Sequence, residues 1–274
     1  MKNEAADGGS GLIPMLKASI REVLSILPAN VRSMLIGGPD RSVRAKKNIA
    51  AMFALKGVSI LVGFLLVPMT LHYLNPTNYG IWLTLSSVFG WLLFFDVGLG
   101  NGMRNKFAEA MAQNDVELAR AYVSTTYVFL GTIILFIFIV FMAVNPFLSW
   151  PKILNVESDV PGDLTALVLV TFGFFCLRFV FGLINSLLIA DQKPALNSLL
   201  DVLSSLISLA LVGILLVTTN GSLLLLGTAI GFSTAIVPIV ASVWLYNGKY
   251  RNVRPSFSYV KTSYASDLIR LGVK

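Results

Sequence analysis

The sequence predicts an all-α integral membrane protein built as a bundle of six transmembrane helices. Three observations predict it. Of the 274 residues, 55% are hydrophobic and 13% charged, whereas about a quarter of the residues in a soluble globular domain are charged. Six apolar runs are each long enough to cross a hydrocarbon core about 30 Å thick, which takes roughly 20 helical residues. The charges are crowded into the segments between those runs. Hydrocarbon offers no partner to a backbone N–H or C=O, so a run that is apolar on every face must pair these groups within itself, as a helix does.

Residues 1–47 form a tail. It opens on a Gly and polar stretch and then places Leu12, Leu16, Ile20, Val23, Leu24 and Leu27 on one stripe, with Lys17 and Arg21 off it. That pattern predicts an interfacial amphipathic helix on anionic lipid, with an unstructured tail as the alternative. No apolar signal-peptide core occurs in these residues. The spans follow at 48–71, 79–100, 121–144, 164–190, 196–218 and 222–246, and residues 247–274 form a closing polar segment. Pro68 and Pro238 fall inside spans one and six and predict kinks there.

The basic residues predict the topology. Of 21 Lys and Arg, 18 lie in the tail, in the loops after spans two and four, and in the closing segment; the opposite loops hold only Lys152. By the positive-inside rule both termini are expected in the cytoplasm. Much of the net charge of +7 is then a topology signal, and no nucleic-acid partner is expected.

Lys56 and Arg178 remain inside spans. A charge there costs at least about 2.5 kcal/mol at the centre on the gentlest scale, so it faces a cavity or a partner. Lys56 shares a face with Ser59 and Gly63, and its ammonium can alternatively snorkel to the headgroups. Arg178 sits near the middle of span four with Gly182 and Asn185 at plus four and plus seven, a stripe that faces a water-filled interior or a structural salt bridge. Asp201 shares a stripe with Ser204, Ser205 and Ser208, where Arg178 or Lys56 can neutralise it. Asp96 lies near the end of span two, with Arg104 and Lys106 as local partners. Span six carries Gly227, Gly231, Thr234 and Pro238 on one small-residue face suited to close packing.

Absences narrow the chemistry. With one histidine, His72, and one cysteine, Cys176, no transition-metal site or Cys/His nucleophile can be assembled, and no disulfide framework forms within the chain. No Gly-rich phosphate loop is present. Glu157, Asp159 and Asp163 fall among Pro146, Pro151 and Pro161, as in a solvated outer turn. Neither an enzyme nor a cofactor is expected.

The stretch Leu74, Asn75, Pro76, Thr77, Asn78, Tyr79, Gly80, Ile81, Trp82 resembles the LGPxxYGxW-type turn of polysaccharide flippases. The run from Asp96 through Gly98, Leu99, Gly100, Asn101, Gly102, Met103 and Arg104, with a short helix continuing to Ser124, resembles the DxGLGxxLR segment of the same proteins. These are the O-antigen and polysaccharide exporters of the multidrug/oligosaccharidyl-lipid/polysaccharide superfamily, and the similarity extends from about Ala45 to the end of the chain. The resemblance implies twelve or fourteen spans in two lobes around a cationic cavity. Alternating access would carry an undecaprenyl-diphosphate-linked glycan, an O-antigen, exopolysaccharide or capsule unit, from the inner to the outer leaflet. Six spans amount to one lobe, the N-terminal one. The chain is therefore expected to be a fragment or truncated product, or to pair with another chain, and a second lobe would repeat it in parallel orientation.

On that reading Arg178, Lys56 and Asn185 contact the substrate anion, and Asp96 and Asp201 serve as ion-pair or coupling groups. Gly98, Gly100, Asn101 and Arg104 shape an inner gate. The implied partners are the lipid-linked glycan, membrane lipid, the missing lobe and other polysaccharide assembly proteins. Rival readings are a cation-coupled multidrug exporter, which favours acidic cavity residues, a membrane enzyme of glycan assembly, and an inert half-transporter.

Overall fold

The computed structural model describes residues 40–92, 98–155 and 164–272. The expected amphipathic helix in the tail, Asp96, and the acidic outer turn lie outside these residues. Two compact units divide at Ala51 and Met52. The described part of the first is helical, and the cores and cavities below belong to the second.

All regular structure among the described residues is helical. Helix α1 spans Asp40–Leu74, α2 Pro76–Leu92, α3 Leu99–Ala112 and α4 Val116–Val144. The short α5 covers Trp150–Ile153, followed by α6 Leu164–Phe181, α7 Leu183–Ala190, α8 Pro194–Thr218, α9 Leu223–Asn247 and α10 Thr262–Gly272. Five stretches are long and apolar enough to cross a membrane, namely Lys46–Leu74, Val116–Phe147, Leu164–Ala190, Pro194–Thr218 and Leu223–Asn247. Helix α2, with 17 residues, occupies the place of the second span.

Local chemistry sets the helix ends. Asn75 adopts a left-handed φ of 70°, and its Oδ1 accepts the Asn78 N–H at 2.9 Å. Pro76 then opens α2, where its missing N–H costs nothing. The flippase-like turn is thus a compact helix stop followed by a helix start. Asp115 caps α4 by accepting the Leu118 N–H at 2.9 Å, and Ser222 caps α9 by accepting that of Leu225.

The helices alternate in direction, and each end of the bundle gathers its own core. At one end Tyr73, Leu74, Trp82, Leu167, Phe172, Val212 and Leu223 pack together. Tyr73 and Thr219 join hydroxyls there at 2.8 Å, and Trp150 Nε1 donates to Asn145 Oδ1 at 2.8 Å. At the other end Leu99, Met103, Phe107, Val123, Ile184, Leu187, Leu245 and Leu268 form the second core. Here Asp191 accepts from Lys193 and Lys249, each at 2.7 Å, and from the Tyr250 hydroxyl at 2.5 Å. Burial, reinforced by that hydrogen bond, pushes the Tyr250 phenol above its ordinary range.

Helix α9 is central, with half of its apolar window buried, against 6% for α1 and for α4. It packs on α6 and α8 through its small-residue face. A Cβ at Gly227 would lie 2.8 Å from Leu167 Cδ1, and one at Gly231 would lie 2.7 Å from Phe174 Cδ2. The peripheral helices instead present apolar side chains outward, such as Phe64 and Trp91, each 71% exposed, as lipid-facing surfaces do.

Two sequence expectations change. Span two does not continue to Gly100: Gly98, with a φ of 78°, precedes a separate helix, and Leu99 and Gly100 belong to α3. Ser124 lies inside α4 rather than at the end of a short helix. Span four keeps its expected bounds, Leu164–Ala190, with an interruption at Gly182 between α6 and α7. The helices assigned at Pro68 and Pro238, by contrast, run through both prolines.

Candidate functional site

A cavity of about 640 Å3 opens between α1, α4, α6, α7, α8 and α9. Helix α6 contributes Arg178 and Phe179, and α7 contributes Asn185 and Ser186. Gly182 lines the cavity at the break between them. The break itself is tight: the Gly182 N–H donates to the Arg178 carbonyl at 2.7 Å, and a Cβ at position 182 would stand 2.7 Å from that same oxygen. Glycine permits this turn beside the arginine.

Helix α8 supplies Asp201, Ser204, Ser205 and Ser208, and α9 supplies Thr234 and Pro238. The serine hydroxyls are spent inside their own helix, with Ser204, Ser205 and Ser208 donating to carbonyls four residues back at 3.0 Å each. Ser208 and Ser233 also meet hydroxyl to hydroxyl. Thr234 donates to Gly231 O at 3.0 Å. These groups therefore face the cavity mainly as acceptors.

The donor that stands out is Arg178. Its side chain is exposed to the cavity, and among the described residues no carboxylate lies within 4.0 Å of it. Asp201 is within electrostatic range of both Arg178 and Lys56 without forming such a pair. Asn185 Oδ1 is buried and lacks a hydrogen-bond partner among the described residues. A guanidinium with unspent donors can receive an anion carrying several oxygens, whereas the Asn185 oxygen is an acceptor and suits a hydroxyl or N–H of a ligand.

The structure thus brings together Arg178, Asn185 and Asp201. Lys56 is exposed on α1 and is not among the lining residues; Ser59, on its face, is. Gly98, Gly100, Asn101 and Arg104 lie at the start of α3, away from the cavity, with Asn101 and Arg104 exposed. Ser186 and Leu130 line the cavity without having been singled out by the sequence. Ser186, two steps of four from Arg178 through Gly182, lies on the face that the spacing already marks, whereas Leu130 is one leucine in an apolar helix.

The chain is an all-helical bundle with several membrane-length helices and a polar cavity among them, and it resembles two known proteins. Over 152 residues, 56% of this chain, it is 23% identical to a Yersinia pseudotuberculosis protein named "Putative O-antigen export protein". The crystal structure of a MATE mutant superposes with a TM-score of 0.64 over 88% of this chain at 18% identity. The aligned part is 34% of the Yersinia protein and 53% of the MATE chain, so this chain spans roughly a third to a half of their lengths. No protein-family model matches.

Proposed function

We propose that this chain forms one lobe of an inner-membrane flippase that moves a prenyl-diphosphate-linked oligosaccharide between leaflets by alternating access. The observation that carries the reading is Arg178, near the middle of a 27-residue span, facing a polar cavity without a carboxylate partner among the described residues. A diphosphate cannot enter hydrocarbon about 30 Å thick unaided. A fixed guanidinium in a wet cavity replaces its hydration with charge-assisted hydrogen bonds, while the prenyl tail stays in lipid. The O-antigen export resemblance supports the substrate class. A second lobe encloses the cavity on its open side.

A second reading, a cation-coupled exporter of MATE type, is favoured by Asp201 in the wall of the same cavity. One assay separates the two. The purified chain is titrated with a short-chain prenyl-diphosphate glycan and, separately, with a lipophilic cation. Flippase function requires anion binding that fails in Arg178→Ala; cation binding that fails in Asp201→Asn would overturn it.

A further inference from the structure

A second polar cavity, of about 580 Å3, lies at the bundle end that holds Asp191 and Tyr250. The transport proposed above does not use it. Its walls are the start of α4, with Glu117 and Arg120, and the segment after α9, with Arg251, Arg254 and Tyr259. Three arginines thus line one open cavity with, among the described residues, a single acidic residue. Like charges so gathered repel, and the chain must hold them there.

It does so largely without carboxylates. The Arg120 guanidinium lies 4.1 Å from the centroid of the Tyr259 ring, and its Nε donates to the Arg254 carbonyl at 3.0 Å. Arg254 Nη1 donates to Asn247 Oδ1 at 3.2 Å. The segment is itself strapped to α4, since the Ser256 and Lys261 N–H groups donate to Ser124 Oγ and Thr125 Oγ1 at 3.1 Å each. Among the described residues none of the three arginines has a carboxylate within 4.0 Å. Stacking and carbonyl contacts orient Arg120 while leaving its terminal N–H groups for a ligand.

The depth of the chamber identifies the ligand's chemistry. Val116, in its wall, is the first residue of one candidate span, and Asn247, which holds Arg254, is the last residue of another. At 32 and 25 residues these stretches exceed the roughly 20 that hydrocarbon takes, so their ends reach headgroup level. We propose that the chamber binds a phosphate ester, as presented by an anionic phospholipid headgroup. Guanidinium forks match phosphate oxygens in pairs, and basic groups at this level are drawn to anionic lipid.

The test is native mass spectrometry on the full chain in detergent, offered phosphatidylglycerol and phosphatidylcholine at equal concentration. Preferential retention of phosphatidylglycerol is expected. Changing the exposed pair, Arg251→Gln with Arg254→Gln, should lower retention by about fivefold per arginine. The charge-retaining pair Arg251→Lys with Arg254→Lys should fall between the two. Displacement of the lipid by millimolar inorganic phosphate would identify a free anion as the natural source of the same chemistry. The proposal is overturned if neither lipid is preferred and phosphate has no effect. An equal loss on removing the same charge elsewhere, with Lys47→Gln and Lys152→Gln, would overturn it as well.

Discussion

Arg178 is a basic side chain within a span that, among the described residues, has no carboxylate within 4.0 Å. Lys193 and Lys249 each reach Asp191, Lys106 reaches Glu109 at 2.7 Å, and Arg120 stacks on Tyr259. Arg178 projects into the cavity with no ion pair among the described residues, so its contribution falls on a ligand rather than on the fold. Arg178→Ala should weaken prenyl-diphosphate binding by about 10- to 100-fold, the loss of one charge-assisted interaction of about 1.5–3 kcal/mol. Its melting temperature should stay near that of the parent, and isothermal titration with thermal melts checks both. Asp201→Asn should leave that affinity unchanged or tighten it severalfold, because it removes a carboxylate that competes for the same cation. Weaker anion binding in that variant would contradict the assignment of the two roles.

At the scale of elements, the fold depends on glycines where helices meet. The close approach of α9 to α6 leaves no room at Gly231, where Phe174 stands 2.7 Å from an added Cβ. Gly231→Val should destabilise the bundle by about 1–3 kcal/mol, through overpacking. Gly80, in α2, has nothing within 4 Å of an added Cβ, so Gly80→Ala should be neutral or stabilising by up to about 1 kcal/mol. Circular-dichroism melts of the two variants side by side check this contrast. Helix α10 docks on α3 at Gly102, where a Cβ would overlap the Leu268 carbonyl. Gly102→Val should therefore release α10, seen as faster hydrogen exchange over residues 262–268 with α9 unchanged. Sequence spacing indicated a small-residue face on α9, but it could not show that Gly102 serves the same purpose, because its partner lies 166 positions along the chain.

Across the whole molecule, the loops expected on one side of the membrane do meet. Residues near 73, 145–154 and 219 gather at one end, and residues near 99–125, 191–193 and 249–268 at the other. The Lys and Arg asymmetry predicts that the second end faces the cytoplasm. In intact cells, with Cys176→Ala as background, Lys152→Cys should react with an impermeant maleimide. Lys261→Cys should react only after permeabilisation. The reverse pattern would invert the topology.

Hydropathy and charge by themselves determined that the chain is a helical membrane protein, with five of the six runs long enough to cross, and which loops share a side. These properties follow from the solvent and from local composition, and each residue declares them alone. Periodicity also put Arg178 with Gly182 and Asn185, and Asp201 with its serines, because residues three, four and seven apart share a helix face in any fold. Only the tertiary structure decided that those two stripes face one cavity, that Lys56 stays off its wall, and that span two gives way to a separate helix at Gly98. It alone gathered Arg120, Arg251 and Arg254 around one chamber. Each of these depends on how one helix is rotated and bent against another, and that follows from packing between residues far apart in the chain.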